Sequence, residues 1–108
     1  MSLATGVAVS LMLRRTQDFG GFAAVLAKGN AEAGGVLILC ADRGEPTALL
    51  ERQLGPGFKY AWQPTGPDSP GRWPDYVAAR QKSDPDLWVI ELDVTDSQRF
   101  VADNFAFD

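Results

Sequence analysis

The sequence predicts a single α+β domain with a mostly antiparallel sheet of about five strands and two or three helices. Three observations predict this class. The chain of 108 residues has the length of one domain and can bury a core of its own. Short apolar runs are separated by turn formers and by connections that suit antiparallel neighbours. Two other stretches, near 7–19 and 73–83, carry helix formers followed by helix-ending residues.

The amino-acid composition excludes several classes of function before any motif is considered. A net charge of −4 argues against nucleic acid as a partner, because phosphate binding needs a basic surface. The chain has no histidine, which excludes Ser–His and Cys–His nucleophilic catalysis and most zinc sites. No run reaches the ~20 apolar residues of a membrane helix, so no membrane partner is expected. The single Cys40 ends an apolar run, which predicts a buried, inert thiol and excludes an internal disulfide. A cytoplasmic setting is the default expectation.

The first element is predicted to be a helix over residues 7–19. Late arginines and the pair Gly20 and Gly21 are the residues that end helices. Apolar residues also alternate in its first half, so a short strand at 6–10 leading into the helix is the alternative. Residues 1–4 are expected to be disordered or a remnant of cloning.

The next part of the chain predicts four strands joined as a meander. Turn-forming residues separate neighbouring strands, and each connection is short enough for antiparallel pairing, so the first two strands are expected to pair with each other. The second strand is apolar on both faces, which predicts an interior position. The four strands are 22–28, 35–41, 47–52 and 58–63.

Three aromatic residues alternate in the fourth strand and should therefore share one face. They are Phe58, Tyr60 and Trp62. Such a stripe could stack bases or a ligand. We favour core packing under a helix, because Lys59 is the only basic residue between them.

A loop rich in proline and glycine at 64–72 leads into the second helix. Pro74 suits the first helical turn, where its missing N–H is not needed. The helix should end near Ser83, because Pro85 disfavours helical geometry at the residue before it.

The strand that follows, 87–92, is predicted to be central. One of its faces carries Trp88, Ile90 and Leu92, and the other carries Val89, Glu91 and Asp93. After it, the pair Thr95 and Gln98 has the spacing of a capping box, which predicts a short helix at 96–103. A sixth strand at 98–102 is the alternative, and the tail from 104 to 108 could dock or fray.

Several segments together resemble a family of small alphaproteobacterial proteins known as domain of unknown function 1491. The resemblance runs from about residue 5 to 101 and implies no activity. The family pattern has an aromatic residue before the first helix, where this chain has Val7. The matching segments are Leu11-x-Leu13-Arg14-Arg15, Gly21-Phe22-Ala23-Ala24-Val25, Ala33-Gly34-Gly35-Val36-Leu37, and Ala79-Arg80-Gln81 with Asp84-Pro85-Asp86-Leu87-Trp88-Val89-Ile90-Glu91.

Four carboxylates form the candidate chemical site. Glu91 and Asp93 share a strand face about 7 Å apart. Carboxylates bind divalent metals and act as acids or bases. The candidate metal ligands are therefore Asp84, Asp86, Glu91 and Asp93, and the candidate catalytic residues are Glu91, Asp93 and Arg80.

A structural interpretation competes with the chemical one. An aspartate before proline accepts backbone N–H bonds and closes a turn, which suits Asp84 and Asp86. Arg80 could clamp one of these two carboxylates and fix the corner. This interpretation leaves only Glu91 and Asp93 without a structural role.

Two classes of function remain. The favoured one is a non-enzymatic interaction or adaptor domain that holds a protein partner or forms a homodimer. The alternative is a metal-dependent or carboxylate-based hydrolase on an acidic face, since acids exceed bases after residue 65. No cofactor is expected other than a divalent metal in that second case.

Overall fold

The computed structural model describes residues 3–105, and these residues form the α+β domain that the sequence predicts. Three helices and a five-stranded sheet make up the fold, with short 3₁₀ turns at Pro56–Phe58 and Pro70–Arg72. No helix in this part of the chain is long and apolar enough to cross a membrane. In chain order the elements are α1 (Thr5–Asp18), β1 (Phe22–Ala27), β2 (Val36–Asp42), β3 (Glu45–Leu54), β4 (Tyr60–Pro64), α2 (Trp73–Ser83), β5 (Trp88–Asp93) and α3 (Ser97–Asn104).

The strand order is β1-β5-β2-β3-β4, so the predicted pairing of β1 with β2 is wrong. The last strand lies between them, antiparallel to β1 and parallel to β2. Two properties explain this position. Four of the six residues of β5 are apolar and buried, and the connection through α2 is long enough for a parallel crossover. The meander of β2, β3 and β4 and the interior position of β2 are confirmed. The strand β5 is also interior, but the central strand is β2 and not β5 as predicted.

The main core lies on the first face of the sheet, under α1 and α3. The predicted apolar side of β5 points into it. Phe105, just after α3, is fully buried and makes an edge-to-face contact with Phe100 at 5.5 Å between ring centroids. The tail therefore docks as far as this residue, whereas 106–108 lie outside the described part. The buried core residues of this face include Val9, Met12, Ile38, Cys40, Leu50, Trp88, Ile90, Leu92, Phe100, Val101 and Phe105.

The second face is covered only in part. Val77 of α2 packs against a small cluster formed by Leu37, Leu87 and Val89. This cluster occupies the row of the sheet in which Ala27, Val89 and Leu37 are neighbours. The next row along the strands holds Ala24, Glu91 and Leu39, which are half-buried, and the buried Leu49 of β3.

Two local predictions are wrong. Phe58 lies in a 3₁₀ turn with a φ of 57° and is 88% exposed, so the aromatic stripe of three does not form. Trp62 is half-buried and donates its indole N–H to the carbonyl of Phe105 at 2.8 Å. The capping box does not form either. Asp96 precedes α3 in the left-handed conformation and makes no side-chain cap.

Candidate functional site

The corner between α2 and β5 forms as the sequence predicts, except that Asp86 takes part through its backbone and its carboxylate accepts no hydrogen bond among residues 3–105. The helix ends where the N–H of Asp84 donates to the carbonyl of Arg80 at 2.9 Å. A carboxylate oxygen of Asp84 then accepts the N–H of Asp86 at 3.2 Å. Leu87 closes the turn by donating to the carbonyl of Asp84 at 3.1 Å. Asp84 is therefore a turn-forming residue, whose side chain bonds backbone two residues on.

The corner docks against the loop between β1 and β2, which we call the glycine loop (29–35). Asn30 donates its N–H to the carbonyl of Asp86 at 2.9 Å and accepts the indole N–H of Trp88 at 2.8 Å. A Cβ at Gly29 or Gly34 would lie 2.1 Å from that same Asp86 oxygen. Glycine is required at both positions, because the carbonyl group sits between their backbones.

The carboxyl ends of the parallel strands β2 and β5 are joined by two aspartates, each of which accepts backbone N–H groups from the loop that follows the other strand. Asp93 of β5 accepts the N–H groups of Arg43 and Gly44, at 2.9 and 2.8 Å. Both of these residues have positive φ and form the tight turn between β2 and β3. In return, Asp42 of β2 accepts the N–H of Asp96 at 3.3 Å. Asp93 thus has a structural role that its sequence position did not reveal.

Arg80 does not contact the corner, so its predicted clamp on Asp84 or Asp86 is wrong. Its guanidinium binds Glu51 of β3 with both terminal nitrogens, at 2.5 and 2.7 Å. It also donates to the hydroxyl of Tyr76 at 3.3 Å. The hydrogen bonds that Arg80 donates to Glu51, and after them the one to Tyr76, raise the pKa of Arg80 above its usual value. The pair holds α2 on the second face of the sheet.

Glu91 is the candidate without a structural role. It lies half-buried on the second face, with Ala24 of β1 on one side and Leu39 of β2 on the other. Within residues 3–105 its carboxylate has no hydrogen bond or ion pair. The α2 helix packs on the neighbouring row, and among residues 3–105 none of its side chains forms a hydrogen bond or ion pair with Glu91.

The four carboxylates do not form one cluster in the described part of the chain. Nowhere among residues 3–105 do three His, Cys, Asp or Glu side chains come together in a group that could hold a metal ion. Asp84 and Asp86 lie at the amino end of β5, and Asp93 lies at its carboxyl end. The metal and catalytic roles of Asp84, Asp86, Glu91, Asp93 and Arg80 stay predictions.

Cys40 is a buried free thiol, as predicted. Burial raises its pKa to about 12, against a smaller opposing effect of a hydrogen bond with Ser97. The thiolate that would act as a nucleophile is therefore disfavoured near neutral pH.

The cavities that are lined by residues 3–105 and described below are small. Four of them hold between 220 and 290 Å³, below the roughly 300–1,000 Å³ of ordinary small-molecule sites. The most apolar one lies between α1 and the strands β3 and β4, where Arg52 stacks over Tyr60 at 5.1 Å. No cavity of this size favours a particular ligand.

One surface was missed by the sequence reasoning, the outer edge of β1. In the described part of the chain, β5 is the only strand paired with β1, so the other side of β1 is open. The strand has no charged residue. Its side chains Phe22, Val25 and Leu26 are exposed, two of them by more than half (59% for Phe22 and 53% for Leu26). We call β1 with these three side chains the open edge.

Comparison with known proteins agrees with this fold. A crystal structure of a DUF1491 family protein from Caulobacter crescentus is 33% identical, with a TM-score of 0.75, and the match covers 85% of this chain and 88% of that one. The NMR structure of a DUF1491 family protein from the same organism is 34% identical, with a TM-score of 0.73 and 86% of both chains covered. Protein Atu0922 from A. tumefaciens shares the fold at 24% identity, with a TM-score of 0.64 and 87% of both chains covered.

The sequence comparison gives the same assignment. No curated protein matches the chain. The family described as "Protein of unknown function (DUF1491)" matches residues 3–102, which is nearly the whole chain. The chain therefore belongs to the DUF1491 family, as the corner motif and the glycine loop indicated.

Proposed function

We propose that this domain is a non-enzymatic protein-binding module and that the open edge holds its partner. The observation that carries the proposal is an exposed apolar edge strand without a single charged side chain. Single exposed apolar residues are common on protein surfaces, but here three lie on one strand of six residues. Proteins that do not use such an edge commonly protect it with charges or proline.

The open edge suits a partner that adds a strand to the sheet. An edge strand presents a row of backbone N–H and C=O groups, which an extended segment can pair with. The register between β1 and β5 is regular from Phe22 to Val25 and shifts before Ala27. A partner strand would therefore pair with about four residues and gain the rest of its affinity from the exposed side chains.

The opposite edge of the sheet supports this choice by contrast. The strand β4 carries Gln63 and ends at Pro64, which has no N–H to donate. Its central Trp62 is held by the carbonyl of Phe105. The two edges of one sheet are therefore built differently, and only β1 lacks polar or proline protection along its whole length.

A cytoplasmic location is part of the proposal. Cys40 is a free thiol in the core, and burial keeps it in the protonated form. A free thiol is usual in reducing compartments. Fractionation of cells that express the tagged protein from its own promoter tests this point, and recovery in the periplasm would contradict it.

The binding role is tested with a pair of matched double variants. Phe22→Ser with Leu26→Ser removes the apolar side chains of the open edge. Tyr60→Ser with Leu54→Ser removes an aromatic residue and a leucine of almost equal exposure, 56% and 52%, at the other end of the sheet. Each tagged protein is used to capture partners from a lysate of the source organism, with quantification by mass spectrometry.

We expect one protein to be enriched by the wild type and by the control variant. Its recovery should fall by about tenfold or more with the open-edge variant, because a few apolar anchors dominate most interfaces. Two results would overturn the proposal. One is the absence of any stoichiometric partner, and the other is an equal loss of partner with both variants.

A further inference from the structure

We propose that the open edge selects a partner strand that carries an arginine or lysine, and that this cation pairs with Glu91 across Ala24. The inference rests on the proposed function and adds the chemistry of the partner. It starts from the one half-buried carboxylate on the second face that makes no hydrogen bond or ion pair within residues 3–105.

The geometry places Glu91 within reach of an added strand. Ala24 is the register partner of Glu91 on the neighbouring strand. Adjacent strands lie about 4.8 Å apart, so a residue added opposite Ala24 has its Cα roughly 10 Å from that of Glu91. The stems of arginine or lysine and of glutamate can together span this distance. Ala24 has only a methyl group, so it leaves the path between the two charged groups open.

The helix α2 is anchored on the neighbouring row. Its Val77 packs against Leu37 and Val89, and its Arg80 binds Glu51. In the row beside it, Ala24, Glu91 and Leu39 are half-buried. A side chain that enters from the open edge therefore meets the partly exposed carboxylate across Ala24.

The cost of burial makes Glu91 a selective group. A strand laid on the open edge removes water from the half-buried carboxylate, which is unfavourable unless a cation replaces the water. Arginine is expected to bind better than lysine, because its planar group can donate two hydrogen bonds to one carboxylate. A neutral residue at this position leaves the charge partly desolvated, and an acidic residue adds repulsion.

The residues around Glu91 determine which residues we expect beside the cation in the partner strand. Phe22 and Ala27 lie on the same face, on either side of Ala24. In the partner strand, the residues two before and two after the cation point to the same face and meet these side chains. We therefore expect apolar residues at these two positions of the partner. The preferred segment reads apolar, any, Arg or Lys, any, apolar.

A second copy of this chain does not meet the requirement. No residue within Phe22–Ala27 is basic, and Lys28 lies beyond the strand, so pairing of β1 with β1 supplies no strand residue that can serve as the cation. The partner that we infer is a different chain, and self-association is an outcome of the test.

The probes are three fluorescein-labelled peptides of seven residues. Their sequences are TVTRTVT and the same peptide with glutamine or glutamate in the centre, so that valines flank the central residue on one face. Fluorescence anisotropy measures their binding to the wild type, to Glu91→Gln, to Glu91→Arg and to the open-edge variant Phe22→Ser with Leu26→Ser.

We expect the arginine peptide to bind the wild type about tenfold more tightly than the glutamine peptide does. The preference should vanish in Glu91→Gln and should reverse in Glu91→Arg, which should prefer the glutamate peptide. Circular dichroism of each variant checks that the fold is kept.

Three results would overturn the inference. Equal binding of the arginine and glutamine peptides, lost in the open-edge variant, would leave the proposed function standing without a role for Glu91. Absence of binding by every peptide would reject this partner chemistry, while the capture experiment decides on the proposed function separately. A dimer in light scattering that dissociates in the open-edge variant would show that a second copy occupies the edge.

Discussion

The corner at the start of β5 and the open edge of β1 beside it differ in what their residues contact. At its start, the corner is held against the glycine loop by hydrogen bonds to the backbone and by the fit of Asp86 between two glycines. Along its side, β1 leaves Phe22 and Leu26 exposed and offers an unpaired edge. The corner is rich in the residue types that catalysis uses, whereas the edge has none of them.

The difference teaches that distinctive residues are not always functional residues. Asp84 and Asp86, with the proline between them, build a turn that docks on the glycine loop. The open edge consists of residues found in any strand. We therefore expect substitutions in the corner to change stability, and substitutions in the open edge to change binding.

The largest expected effect belongs to Gly34→Ala. Its Cβ would lie 2.1 Å from the carbonyl oxygen of Asp86, so the backbone of the corner must move. We expect the free energy of unfolding to fall by about 3 kcal/mol, the upper range for overpacking, measured by urea denaturation. Gly35→Ala is the control, because its Cβ would meet only Leu87 at 3.4 Å. Equal, small changes in the two variants would contradict the close fit.

The next effect is that of Asp93→Ala at the other end of β5. The substitution removes the two carboxylate oxygens that accept the N–H groups of Arg43 and Gly44 in the turn between β2 and β3. We expect a loss of about 1–2 kcal/mol, since hydrogen bonds to charged groups are stronger than neutral ones. The control is the exposed Asp68→Ala, for which no change above about 0.5 kcal/mol is expected. A loss of function with full stability would instead assign Asp93 to chemistry.

A smaller loss is expected for Asp84→Ala. Its carboxylate accepts one hydrogen bond, from the N–H of Asp86 at 3.2 Å. The expected decrease in the free energy of unfolding is about 1 kcal/mol, as for the loss of a capping bond. Thermal and urea denaturation of the same preparation measure it. A gain in stability would show that the carboxylate is strained in the turn.

The smallest effect on stability is expected for Glu91→Ala, within about 0.5 kcal/mol, because the side chain has no described partner. The same variant tests the metal hypothesis. If Glu91 helps to hold a divalent ion, millimolar Mg²⁺, Mn²⁺ or Ca²⁺ should raise the melting temperature of the wild type and not that of the variant. No shift of the wild type with any of these ions would reject the metal site.

The sequence predicted most elements and half of the strand order. Helix-ending glycines and Pro85 gave the ends of α1 and α2, and the alternation of Trp88, Ile90 and Leu92 gave the buried face of β5. These signals are local. The insertion of β5 between β1 and β2 is not local, because it depends on which strands exchange hydrogen bonds across the chain.

The candidate site divides in the same way. The turn made by Asp84 was predictable, since a carboxylate before proline bonds nearby backbone. The pairing of Arg80 with Glu51 and the role of Asp93 were not, because their partners lie on elements distant in the sequence. A meander leaves one side of its first strand unpaired, so the open edge was predictable in principle. Had β1 been recognised as an edge strand, its lack of charge would have been the signal.

Amide hydrogen exchange tests the central claim most directly. The exchange rates of the domain are compared with and without the protein that the wild type captures. We predict slower exchange in Phe22–Ala27 and unchanged exchange in Tyr60–Pro64, because the partner should cover only the open edge. Slower exchange in β4, with unchanged exchange in β1, would contradict the claim.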